Sequence, residues 1–392
     1  MKTLDRSVNT LVVLFAGILC LGVATDAGSG SVSLENVYQS LYRSASEASP
    51  ELDDDPCYPL DFSGRELARA LDELKTRDAR QLVWVMQNAS PEALGESLTL
   101  HLAIAHAETR GHVLAISASG AAGLAQATPI AILSEGLDGP LFVNDEYVRG
   151  AEAYFLKKPL GDADKIASYL LKRGARRDRA IEMLASAWEL RREGFDELDH
   201  LEAYGGDQFA DRREILELEN EEVLRRLGTL IESRSSSSRI RAFRDQTRRR
   251  YRALRNTQRH SWAKYRDVLE LRRDAILIEA YGVDAEQVLE IAPYEAGEIL
   301  ASKLDVRFSP TSMALFLPAH LDTKRDQART LGIEEEDVER VAIGLYNGGL
   351  PNMKRMMSGL IGRLPETDRY MRRVPYTRDQ LDASLADVEL AN

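Results

Sequence analysis

The chain of 392 residues is 44% hydrophobic and carries a formal net charge of −12, from 63 acidic against 51 basic side chains. That length and apolar content leave room for two or three domains with a real core, while the acidic balance argues against a general nucleic-acid binder. Cys20 and Cys57 are the two cysteines, and His101, His106 and His112 lack i, i+4 spacing, so neither a disulfide framework, a metal nor a cofactor is expected.

Residues 1–27 read as an export signal. Lys2 and Arg6 form a basic end, Leu11 to Ala24 is an apolar run too short for a comfortable membrane span, and the small residues around Ala24 and Ala27 permit cleavage. A periplasmic or secreted location follows, with an uncleaved membrane anchor as the alternative. Cys20 follows Leu19 rather than the small residue of a lipoprotein signal. Residues 28–62, rich in Ser, Gly and Asp, read as a disordered linker. From residue 63 the pattern turns helical. Leu67, Leu71 and Leu74 give an amphipathic stretch over 65–75, a second helix is expected over 78–88, and a third over 91–110 from the Ser90-Pro91 start.

That third helix delivers Glu108 and stops at Gly111, a residue suited to a left-handed helix end. A carboxylate in the last turn faces the negative end of the helix dipole, and apolar neighbours desolvate it. Both effects favour the protonated form that a general acid needs. Beyond it lies a small-residue loop with Ser117, Gly120, Ala121 and Gly123, and Leu124, Gln126 and Pro129 are expected to open the next helix.

The pattern Glu108-(x6)-Ala115-x-Ser117-x-x-Gly120-Ala121-x-Gly123-Leu124-x-Gln126-x-x-Pro129 resembles the active-site signature of lytic transglycosylases with a soluble-lytic-transglycosylase (SLT, lysozyme-like) domain. Thr109, Gly111 and Ala125 depart from it. The stretch 141–155 is similar to the family's next helix, with Val148, Ala151 and Phe155 expected inward. Residues 341–357 resemble its third motif through Tyr346, Asn347 and Gly349, and 364–374 its closing segment through Pro365, Glu366, Thr367, Tyr370 and Val374.

Residues 160–304 do not share the resemblance. Between 193 and 233 stand thirteen acidic against four basic residues; between 239 and 273 stand thirteen basic against three acidic ones. Leu216, Val223, Leu227 and Leu230 approach a heptad with Asn220 in its seam. An antiparallel, coiled-coil-like hairpin with complementary arms is expected, separable from the chemistry and able to recruit a protein partner or a second copy.

The reading is therefore mainly α: a lysozyme-like domain in two parts, 63–159 and 305–375, interrupted by the helical insertion 160–304 and followed by a tail, 376–392. The resemblance implies cleavage of the bond between N-acetylmuramic acid and N-acetylglucosamine in peptidoglycan, with formation of a 1,6-anhydro end. Glu108 would be the catalytic acid and then base, Tyr346 would hold it in place, and Ser117, Gln126, Asn347 and Glu366 would line the sugar subsites. A lysozyme-like muramidase using the same Glu108 and a catalytically weak cell-wall scaffold are the alternatives.

Overall fold

A computed structural model describes residues 98–390 apart from 110, 284–287, 289–291 and 363. The export signal, the linker, the helices expected over 65–75 and 78–88, and the start at Ser90 lie outside the described residues. Among the described residues the chain is mainly helical and has no strand. None of the described helices is long and apolar enough to cross a membrane.

The helices are α1 (Leu98–Thr109), α2 (Pro129–Ser134), α3 (Asp145–Leu170), α4 (Arg177–Asp199), α5 (Phe209–Glu232), α6 (Ser237–Tyr281), α7 (Pro293–Lys303), α8 (Pro310–Thr330), α9 (Glu335–Gly348), α10 (Leu350–Met357) and α11 (Pro365–Leu390). Their caps follow the sequence. Asn144 accepts the Tyr147 amide at 3.0 Å to start α3, Thr128 caps α2 ahead of Pro129, and Ser309 caps α8 ahead of Pro310. The second helix thus opens at Pro129, and Leu124 and Gln126 belong to the loop before it.

Helix α3 is the axis of the packing. Val148, Ala151 and Phe155 point inward as expected, and α4, α5 and α6 all pack on α3. The 45-residue α6 runs antiparallel to α3: Lys264 pairs with Glu146, Trp262 lies on Gly150, Lys157 bonds Gln258, Tyr251 lies on Gly161, and Arg248 pairs with Asp164. Gly150 and Gly161 have no side chain to keep the two aromatic rings away, which is what brings the axes together there. The acidic α5 follows α6 only in part, through Arg250–Glu219 and Arg226 over Phe243. The hairpin turn is present at Arg234–Ser236, with Asn220 and Leu227 buried in its seam. The main partner of the basic helix, however, is α3 rather than the acidic arm, because apolar and small residues, not charge, select the neighbour.

Nor is residues 160–304 a separate body. Residue 160 falls in mid-α3, and Phe195, Leu198, Phe209, Tyr265, Leu269 and Leu277 share one core with Ile104, Leu124, Phe308 and Ile343. A second core at the far end of α3 joins Ala163 and Ile166 to Met183, Leu224 and Phe243. Arg355 of α10 reaches back to Asp162 in a buried pair at 2.9 Å, and Arg179 bonds the Ser358 carbonyl at 2.7 Å. Removing the insertion would strip both cores. The expected tail also differs: α11 continues through Pro375 as far as Leu390.

Candidate active site

Helix α1 buries Leu102, Ala103 and Ile104 and ends with Glu108 and Thr109. Gly111 follows at φ +84°, the left-handed turn expected there. The half-buried Glu108 has its pKa raised from the usual carboxyl range to about 7. Burial is the main cause and the charge of Glu366 adds to it, while the Tyr370 hydroxyl and Arg373 act in the opposite direction.

Glu366, Tyr370 and Arg373 follow one another at i, i+4 and i+7 along α11, which packs on α1, so one helical stripe faces the acid. Arg373 also donates to the His106 carbonyl at 3.4 Å. The Tyr370 hydroxyl is the group that stabilises ionised Glu108, yet it is buried without a partner of full hydrogen-bond geometry. Its own pKa is pushed well up by burial and then by the Glu108 charge.

Tyr346, expected to hold Glu108, does something else. Its hydroxyl donates to the Ala125 carbonyl at 2.9 Å, and its ring stacks on Tyr370 with centroids 6.3 Å apart and planes at 4°. It therefore ties α9 to the glycine loop and backs the tyrosine that faces the acid. Tyr370 stood within the sequence motif, but its role depends on how α11 is rotated, which the motif does not carry. Arg373 was missed altogether; its position one turn after Tyr370 was the available signal.

After the acid helix, residues 115–128 form a tight loop with two isolated bridges, Ile116 to Ala122 and Ala122 to Ala127. Ser117 does not reach α11. Its hydroxyl accepts the Ala121 amide at 3.0 Å and the Ser119 amide at 3.3 Å, and lies 3.0 Å from the Ser119 hydroxyl. Gln126 sits at φ +46°, an uncommon conformation for a residue with a side chain, and its Nε2 donates to the Gly123 and Ala115 carbonyls at 3.1 and 3.4 Å. Thr109 joins acid helix to loop, donating to Leu124 at 3.3 Å and to Ala105 at 3.2 Å.

Asn347 accepts from the buried Thr367 hydroxyl at 3.1 Å, which aligns α9 and α11. Glu366 is exposed in the first turn of α11. Glu366 is near enough for its charge to act on Glu108, whereas Glu135 is engaged elsewhere, by His320 at 2.6 Å and Thr323 at 3.1 Å.

No protein-family model, curated protein or solved structure matches this chain.

The loop is held from behind by a buried cluster that sequence reading missed. Arg307, with no exposed surface, pairs with Asp305 at 2.7 Å and donates to the Gly120 carbonyl at 2.8 Å, the Ala127 carbonyl at 3.2 Å and the Tyr265 hydroxyl at 2.7 Å. Tyr265, from α6, donates in turn to the Phe142 carbonyl at 2.8 Å, and Asp305 accepts the Phe142 amide at 3.1 Å. Burial opposes the Arg307 charge, but Asp305, Tyr265 and Tyr147 together outweigh it and raise the pKa. The approach is close: a Cβ on Gly123 would stand 1.6 Å from the Arg307 carbonyl oxygen. Only glycine fits there.

Proposed function

We propose that the chain is a peptidoglycan lytic transglycosylase with a lysozyme-like fold, and that Glu108 is its single acid and base. The observation that carries the reading is a buried carboxyl, its pKa raised to about 7, at a helix end that Thr109 ties to the glycine loop at Leu124. A group that must first give a proton and then take one works best when its pKa lies near the operating pH.

In the proposed reaction protonated Glu108 donates to the glycosidic oxygen, and the bond to the muramic anomeric carbon breaks. The substrate's own acetamido oxygen supports the positive charge that develops there. Glu108, now a carboxylate, takes the proton from the muramic 6-hydroxyl, whose oxygen closes onto the anomeric carbon to give the 1,6-anhydro ring. Proton, leaving group and ring balance without a water.

Tyr370 and Arg373 support the step by stabilising the carboxylate form between the two proton transfers. Gln126, through its amide oxygen, together with Asn347 and Glu366, is placed to bind sugar amides or hydroxyls, while Ser117 acts by setting the loop's shape. Export to the periplasm or beyond belongs to the same proposal.

One observation favours a second reading. Glu366 is exposed and close enough to act on Glu108, so a water held by it could attack instead, giving a lysozyme-like hydrolase. Mass analysis of muropeptides released from purified sacculi separates the two. Anhydro ends, one water lighter than reducing ends and absent with Glu108→Gln, are expected. Reducing ends would establish the hydrolase, and no release by the wild-type protein would overturn both.

A further inference from the structure

The basic helix α6 has a face that its neighbours do not use. Arg241, Arg249, Arg252, Arg255 and Arg259 are all exposed, and none has an ion-pair partner among the described residues. At 1.5 Å per residue they occupy a ridge about 27 Å long. Arg241, Arg252 and Arg259 recur at spacings of eleven and seven, which places them on one face, with Arg249 and Arg255 flanking them.

The neighbours add to the positive charge instead of cancelling it. Arg255 and Arg259 stand beside Lys157 and Lys158 of α3, where burial first and then these three cations pull the Lys157 pKa down to about 8. Lys158 rests on the Tyr154 ring at 4.0 Å. Most nearby acids are occupied: Glu219 pairs with Arg250, Asp164 with Arg248, and Glu146 with Lys264, while Asp245, the one acid within the ridge, pairs with Arg244 and also bears on Arg249. Crowding five arginines and two lysines around a single shared acid costs free energy in the isolated molecule, and a ligand rich in negative charge removes that cost.

We propose that this ridge docks the protein on an anionic phospholipid surface. Arginine, with its planar donor fork, suits phosphate better than lysine does, and phosphate headgroups offer it in a plane as long as the ridge. Beyond the arginines the same helix exposes Leu271 at 70% and Ile278 at 53%. A bilayer interface accommodates such apolar side chains, and a nucleic-acid backbone does not. Because the whole chain is net −12, attraction is confined to the ridge: it acts within a Debye length of about 8 Å at physiological salt, and it fixes which side faces the lipid. The inference does not depend on the chemistry at Glu108.

The test is co-sedimentation of the protein with vesicles of phosphatidylcholine alone and of phosphatidylcholine containing phosphatidylglycerol, at low and high NaCl, with a DNA duplex as competitor. Binding only to the anionic vesicles, released by salt, is expected. The combined variant Arg249→Gln, Arg252→Gln, Arg255→Gln and Arg259→Gln should bind them at least tenfold more weakly with unchanged circular dichroism. These are solvent positions, and glutamine retains helix propensity. If that variant loses its fold, Leu271→Gln with Ile278→Gln in the wild-type background serves as the second reading and should weaken binding severalfold. Equal binding to neutral and anionic vesicles, no binding to either, undiminished binding by the folded variants, or preferential transfer to the DNA duplex would overturn the proposal.

Discussion

Two charged clusters, one bonded to the glycine loop and one at the end of α1, are treated differently by burial. At the loop, Arg307 and Asp305 are fully enclosed, and their donors and acceptors meet partners on the loop, on α6 and on the segment before α3. At the helix end, Glu108 is less deeply enclosed and less well compensated: Tyr370 faces it without full hydrogen-bond geometry, and Glu366 adds a like charge. The first arrangement holds a charge in place, and the second makes holding one costly. A compensated buried ion is structural, whereas an uncompensated carboxyl keeps its proton into the neutral range and can transfer it.

The largest expected effect comes from abolishing the second arrangement. Glu108→Gln keeps size but has no transferable proton, so muropeptide release should fall by about 10²–10⁴-fold or more. The stability comparison has a definite sign. A carboxyl whose folded pKa is about 7, against an ordinary 4.5, binds its proton more tightly in the folded state. Wild-type stability should therefore decline between about pH 4.5 and 7 and level off above, by up to roughly 3 kcal/mol. Glu108→Gln should not show that decline; urea titrations at pH 5 and pH 8 compare the two directly.

Breaking the first arrangement should cost stability rather than chemistry. Arg307→Met strands Asp305 without a counter-charge and should destabilise by about 3–5 kcal/mol in urea unfolding. Replacing Asp305 by Leu in the same chain should recover part of that loss. Were Arg307→Met as stable as wild type, the cluster would not be what holds the loop.

Smaller changes should tune the acid in opposite directions. Tyr370→Phe removes a group that lowers the Glu108 pKa, so the alkaline limb of the kcat/KM profile should move to higher pH. Glu366→Gln removes one that raises it, so that limb should move lower. Movement in the same direction would mean the limb belongs to another group. Least of all, Tyr346→Phe loses the bond to Ala125 and should cost about 1 kcal/mol of stability while leaving the profile in place.

The difference between the clusters also marks what the sequence could carry. Glu108, Gly111 and the positive-φ Gly120 and Gly123 were legible because each is decided within a few residues. Tyr346 and Tyr370 were both in view, yet which of them faces the acid depends on how α9 and α11 rotate against α1. Arg307 was illegible for a stronger reason: its partners come from residues 120, 127, 265 and 305, and no local pattern joins them. Charge runs misled for the same reason, since basic α6 could be matched by acids on either α3 or α5, and close glycine–aromatic contacts decided for α3.

The most direct test of the account is the titration of Glu108 itself, followed by the side-chain carboxyl ¹³C NMR signal that disappears in Glu108→Gln. A midpoint near pH 7 is the result predicted from its burial beside Tyr370, Arg373 and Glu366. A midpoint near the ordinary 4.5 would mean that Glu108 is as well compensated as Arg307, and it would contradict the assignment of Glu108 as the acid.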